Sequence, residues 1–369
     1  MASGLLLTAV AALSTQACTS AASTATTGNS SSVSSAAGRP QLTLGSVQAT
    51  FRGYVAASDQ AARTGNRTLA LSVLTGMAWD IMDTQYRIAR KSGAAPPYTR
   101  YTYGTPTFYR PKLVAGGPQY FVASVLRTPV PGTTAMTQSS QDVTAGVNLP
   151  GAGQVLMLFQ KPSSSSHWRL ASTSQLAPGE TVPALATDSH GNVIVESLSA
   201  PSSTALVRPA LAPALQATVV DDGPASLASQ VVASGPLTTG IYDQATSAAR
   251  GLQAPPGDVH QWLLEGSSYA RLALRTSDGG VLVLYSMYLN DTIETKSALD
   301  QNDSARSGPP ITVPDFVKVL LPPSRWTPHT RLETQDILSF AAIVPPTAST
   351  GQKIRVIAIG GGLRYADSD

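Results

Sequence analysis

The chain has 369 residues, 42% of them hydrophobic and only 13% charged, a composition that supports a sizeable core and excludes wholesale disorder. One core stops growing at roughly 250–300 residues, so this length predicts two domains. A formal net charge of +3 is too small for a nucleic-acid surface, and a single cysteine excludes any disulfide within the chain.

Leu5 to Leu13, "LLLTAVAAL", is an uncharged apolar run. It is too short to cross a bilayer, which takes about 20 residues, but it suits the core of a secretory signal. Ala17 precedes Cys18, as a small residue precedes the lipidated cysteine of bacterial lipoproteins. "MASG" carries no basic residue, and Thr15 and Gln16 depart from the usual lipobox. Residues 1–17 therefore resemble a lipoprotein signal peptide, with Cys18 as the palmitate-type lipid attachment point. The Ser/Thr/Ala-rich stretch after it cannot bury apolar surface, so 18–44 reads as a flexible tether. Signal, lipid, tether and body together predict a protein anchored on the extracytoplasmic face of the cell membrane.

The body begins with a helical pattern, Val47, Phe51, Tyr54 and Val55, ended by "RTGN" at 63–66. A longer helix is expected from Leu69 to Lys91, with basic residues in its last turn and Gly93 after it. Strand patterns follow in "TFYRPKL", "QYFVASVLRT", "QVLMLFQK" and "HWRLASTSQL", with a long polar loop from Pro129 to Gly153. The order then repeats. After "NVIVES" come short helical pieces between Thr204 and Leu252, then "HQWLLEG", "YARLALRTS", "VLVLYSMYL", "DFVKVLLP", "DILSFAAIV" and "KIRVIAIGG". "SDGG" carries the residues of a type I′ hairpin turn.

Helices followed by antiparallel strands, twice, predict an α+β fold of two domains, each with helices packed on a curved antiparallel sheet. The expected domains are 45–181 and 182–369. Residues 41–181 carry twelve basic and five acidic side chains, whereas 182–369 carry twelve and seventeen. The basic half is the one expected to face an anionic membrane. "FRGYVAASDQAARTGNRTLALSVLTG", "HWRLASTSQL" and "YARLALRTSDGGVLVLYSMYL" together resemble an uncharacterised family of actinobacterial secreted lipoproteins. The layout of each half is also similar to the cone-shaped nuclear-transport-factor-two-like or cystatin-like domains. The resemblance implies location and fold and brings no established activity.

No nucleophile motif is present: neither G-x-S-x-G nor S-x-x-K occurs. The four histidines do not share metal-ligand spacing, so neither a metal nor a cofactor is expected. "DQNDSARSG" (300–308) starts like a calcium loop, but Ala305 stands where that loop needs glycine. Glycines 360–362 read as a bend or close backbone contact. Asp80 and Asp83 share a helix face at i, i+3 and form a candidate acid/base pair, with Arg87 a turn away. Trp79, Tyr86, Tyr101 and Tyr103 are the candidate walls of a ligand pocket. The leading expectation is a non-catalytic envelope module that binds an envelope protein or a small apolar ligand. A carboxylate enzyme at Asp80 and Asp83, or a structural spacer, are the alternatives.

Overall fold

Thr43 accepts a hydrogen bond from the Ser46 amide on its hydroxyl and so starts α1, Leu44–Thr64. Gly65, at φ 64°, ends it. The computed structural model describes residues 42–93, 99–113, 118–131, 151–163, 166–200, 204–251, 259–295 and 310–369. The expected signal peptide, Cys18 and nearly all of the tether lie outside the described residues, as do 132–150 of the polar loop and "DQNDSARSG".

The single helix expected over Leu69–Lys91 is two: α2, Arg67–Ser72, and α3, Gly76–Ser92. A tertiary bridge breaks it. Leu170 donates to the Val73 carbonyl and accepts from the Thr75 amide, each at 2.9 Å, and Gly76 at φ 55° turns the chain into α3. Long-range backbone pairing overrides a local helical period here.

Among the described residues, ten strands form one antiparallel sheet. They are β1 (Tyr101–Tyr103), β2 (Thr107–Tyr109), β3 (Gln119–Pro129), β4 (Gly153–Lys161), β5 (Arg169–Leu176), β6 (Val259–Gly266), β7 (Leu272–Arg275), β8 (Val281–Glu294), β9 (Arg331–Val344) and β10 (Arg355–Ser368). Their order is β1-β3-β4-β5-β10-β9-β8-β6, with β2 also on β3 and β7 also on β8. The halves expected to be separate domains thus share a sheet: the last strand pairs with β5 of the first half through Ala358↔Leu176 and Ile359↔Gln175. Residues from Pro40 to Asp369 group as one unit. The fold is α+β around a large antiparallel sheet.

The sheet also closes on its other side. The Val193 amide donates to the Arg110 carbonyl just after β2, while Ile194 and Glu196 exchange backbone bonds with β7, each at 2.9 Å. "NVIVES", expected as a strand, makes only isolated bridges, and these form the seam. Inside the ring lies a buried cluster of Val122, Leu156, Leu158, Val193, Leu272, Leu274, Leu282, Leu284, Ala341 and Ala358, drawn from its successive members. Two further cores lie outside. One packs α1 on β3 and β4; the other packs α4 (Ala212–Asp222) and α5 (Thr239–Gly251) on β8 and β9. "DFVKVLLP", expected as a strand, is one turn of helix, α6 (Asp315–Lys318), begun after Pro314 and ended before Pro322. The amides of Val317, Lys318, Leu320 and Leu321 each bond a carbonyl three or four residues back, which takes them away from any ladder.

The "SDGG" hairpin forms between β7 and β8, but the hydrogen-bonded turn is Thr276–Gly279, closed by Gly279 at φ 91°. One positive-φ glycine after a turn is the bulged three-residue loop, not the expected type I′. At the sheet end, β6 is protected. The Asp221 carboxylate of α4 accepts the outward Leu264 amide at 3.0 Å and blocks a ladder position that a foreign strand would use. Burial, with repulsion from Asp222 and Glu265, raises Asp221 to about 6. An unfolded aspartate titrates near 3.9, so the folded state holds the extra proton between about pH 4 and 6. Stability from this group is therefore greatest at the acid end and falls as pH rises through that window. Asp221→Asn keeps the acceptor and removes the charge. Urea denaturation should show it stabilised by about 1 kcal/mol at pH 8, after solvent screening, and unchanged near pH 4.

Candidate binding groove

Phe51 projects from α1 into a ring of aromatics. Its edge meets Tyr103 at 5.7 Å, Phe108 at 5.8 Å and Phe159 at 6.3 Å. Phe121 and Phe159 stack beneath at 4.6 Å, both fully buried. Such edge and stacked contacts add to area burial and give this floor one arrangement. Above it, between α1 and the β1–β2 segment, lies an open groove of about 800 Å³. One wall is the α1 face Gln48, Phe51, Arg52, Val55, Asp59 and Arg63; the other is the unbroken run Arg100–Pro106, with Phe108 beyond.

The polar end is organised by Asp59, which receives Arg63 and Arg100, each at 2.7 Å. The hydrogen bond from Arg100, then that from Arg63, holds its carboxyl below the usual carboxylate range. Arg52, on the same wall, bonds the Gln48 carbonyl of its own helix at 3.3 Å and no other group among the described residues. Burial raises the hydroxyls of Tyr54 and Tyr103 above the ordinary tyrosine value, so both remain hydrogen-bond donors. The Arg127 guanidinium lies over the Tyr101 ring at 4.3 Å.

The expected pocket set divides. Tyr101 and Tyr103 line the groove, two positions apart on β1 and so on one face. Tyr86 is buried in a small cluster with Ala61 and Ala70, and Trp79 is 37% exposed on α3. Neither touches the groove. The helix break at 73–75 places α3 against β5 and β10 instead, which a single long helix would not have done.

Asp80 and Asp83 do not converge either. Tyr269 donates its hydroxyl to Asp80, while Asp83 forms an ion pair with Arg67 of α2, not with the expected Arg87. The hydroxyl of Tyr269 is raised by burial and then by Asp80, which keeps it the donor. Each carboxylate is committed to a different partner.

Sequence reasoning missed one pair. His260 on β6 lies with Nε2 2.5 Å from Asp291 of β8, and the Trp262 indole donates to the same nitrogen at 3.2 Å. His260 Nδ1 is buried and has no hydrogen-bond partner among the described residues. Trp262↔Asp291 are register partners, so the pair is a diagonal cross-strand contact, invisible before the pairing is known. No serine, threonine or cysteine hydrogen-bonds the histidine among the described residues, which leaves the dyad without a nucleophile. His190 sits in a turn capped by Asp188, as expected. No cluster of three or more metal-binding side chains occurs among the described residues.

Residues 38–364 match the family of a domain of unknown function, DUF8094. The chain is also 25% identical over 323 residues to an uncharacterized lipoprotein of Streptomyces avermitilis, covering 86% of this chain and 83% of that protein. No solved structure matches. No helix among the described residues is long and apolar enough to cross a membrane.

Proposed function

Because the chain belongs to the DUF8094 family, which matches almost the whole body, we propose that it is a lipid-anchored protein on the extracytoplasmic face of the cell membrane that acts by binding. The groove between α1 and β1 is the observation that carries the binding role: an aromatic floor, a cationic rim and room for a ligand of several residues. Its occupant is an envelope protein or a small apolar ligand. The separate engagement of Asp80 and Asp83 favours this over acid/base catalysis, since paired carboxylates work only when they reach one substrate. Cys18, behind an apolar run and before a tether, supports the anchor, and so does the name of the Streptomyces relative.

Two measurements test the reading. Metabolic labelling with a fatty acid should load the wild-type chain and leave Cys18→Ala unlabelled and released from the membrane; label retained by the variant refutes the anchor. Capture of the anchored protein from its native membrane should recover a partner that Arg52→Glu recovers less well. Recovery of lipid alone, equally by both, removes the binding role.

A further inference from the structure

Residues 100–106 line the groove without a gap, although side chains on a strand alternate between faces. A wall made of consecutive residues is a backbone edge. β1 ends the sheet, and its ladder to β3 runs through alternate residues: Arg100 accepts from Val130 at 2.8 Å and Gly104 donates to Leu126 at 2.9 Å, with Thr102 opposite Thr128 between them. The amides and carbonyls of Tyr101 and Tyr103 therefore point away from β3. They meet no backbone partner among the described residues.

The two walls have matched lengths. From Gln48 to Arg63, α1 advances about 23 Å; from Arg100 to Pro106, an extended chain advances about 20 Å. A groove of this length between a helix and an unpaired edge strand accepts six or so residues of extended peptide. Charge narrows the choice. The lining holds Arg52, Arg63 and Arg100 against the single carboxylate of Asp59, which already serves two of them. Phe51, Val55 and Phe108 supply apolar contact for side chains on one face of such a strand.

We propose that the groove takes an extended, acidic peptide segment of a partner protein, which adds a strand to β1 by bonding the outward backbone groups of Tyr101 and Tyr103. The proposal rests on the binding role given to the groove above and names its ligand class. Edge addition supplies affinity through main-chain bonds, and the arginine rim selects for acidic side chains.

The test uses the soluble body from residue 38 onward, the span matched by the family, and a fluorescent acetyl-EVTVEV-amide peptide read by anisotropy. Binding should weaken at least about tenfold for the lysine counterpart acetyl-KVTVKV-amide and in 0.5 M salt. Of two forms N-methylated at alternate residues, the one blocking the edge toward β1 should lose at least about tenfold, and the other should be spared. On the protein side, Tyr101→Pro deletes one outward amide and should weaken binding about tenfold more than Tyr101→Ala, which keeps it. Should the proline variant not fold, the methylated peptides on the unaltered protein decide alone. Equal binding of both methylated forms overturns strand addition while leaving the groove a binding site. Decanoate binding at the groove with no peptide binding overturns the peptide in favour of an anionic amphiphile. Binding of neither probe overturns this proposal and the groove's binding role together, whereas the fatty-acid labelling of Cys18 stands or falls separately.

Discussion

Gly360→Ala is expected to destabilise the protein by more than about 3 kcal/mol, a large share of the roughly 5–15 kcal/mol that holds a native protein together. A Cβ at this position would sit 2.1 Å from the Thr173 carbonyl oxygen, which is backbone and cannot swing aside. The bare α-carbon also lets Ser339 reach across β10 to the same carbonyl, at 2.8 Å. Only two register pairs join β10 to β5, so a shift here opens the ladder between these two strands. Gly53→Ala is the matched control. Nothing lies within 4 Å of its Cβ on α1, so this change should stabilise by about 0.5–1 kcal/mol through helix propensity. Thermal and urea unfolding of the two variants should move in opposite directions; a Gly360→Ala protein as stable as the parent would contradict the packing described.

Phe159→Ala should cost about 3–5 kcal/mol, the usual range for deleting a buried aromatic. Phe159 is fully buried, stacks on Phe121 at an interplanar angle of 4°, and meets the edges of Phe51 and Tyr54. The cavity left behind lies directly under the groove, so near-ultraviolet circular dichroism and groove occupancy should both change. Phe159→Leu, which keeps most of the volume, should lose far less of the urea midpoint. A loss confined to stability, with the groove unaffected, would show that the aromatic floor does not shape it.

Much of this architecture was legible before the coordinates. α1 follows from Val47, Phe51, Tyr54 and Val55, and most of the strands from apolar alternation between turn residues. The glycines at 360–362, whose sequence suggests a bend or a close backbone contact, sit in close contact: Thr173 crowds Gly360, and Ile81 of α3 lies 2.9 Å from where a Gly362 Cβ would be. The union of the halves was not legible. Leu176 and Ala358 are far apart in the chain, and local periodicity says that each lies in a strand without saying that they pair. For the same reason Tyr101 and Tyr103 could be named while their outward backbone could not, since that depends on β1 being an edge. "DFVKVLLP" misled because β-branched residues favour strands only where the backbone is free to pair, and here its amides are spent on local turn bonds.

β10, Arg355–Ser368, stands in the middle of the sheet, with β5 on one side and β9 on the other. A ribosome delivers β5 long before β10, so the ladder between them cannot form until the long intervening segment and β10 itself have been made. Closing so long a loop is slow compared with forming helices or hairpins. If the chain is exported as proposed, this delay is useful. A chain whose β5–β10 ladder is still unmade threads a translocation channel more easily than one with the ladder closed, and the ladder then forms on the far side.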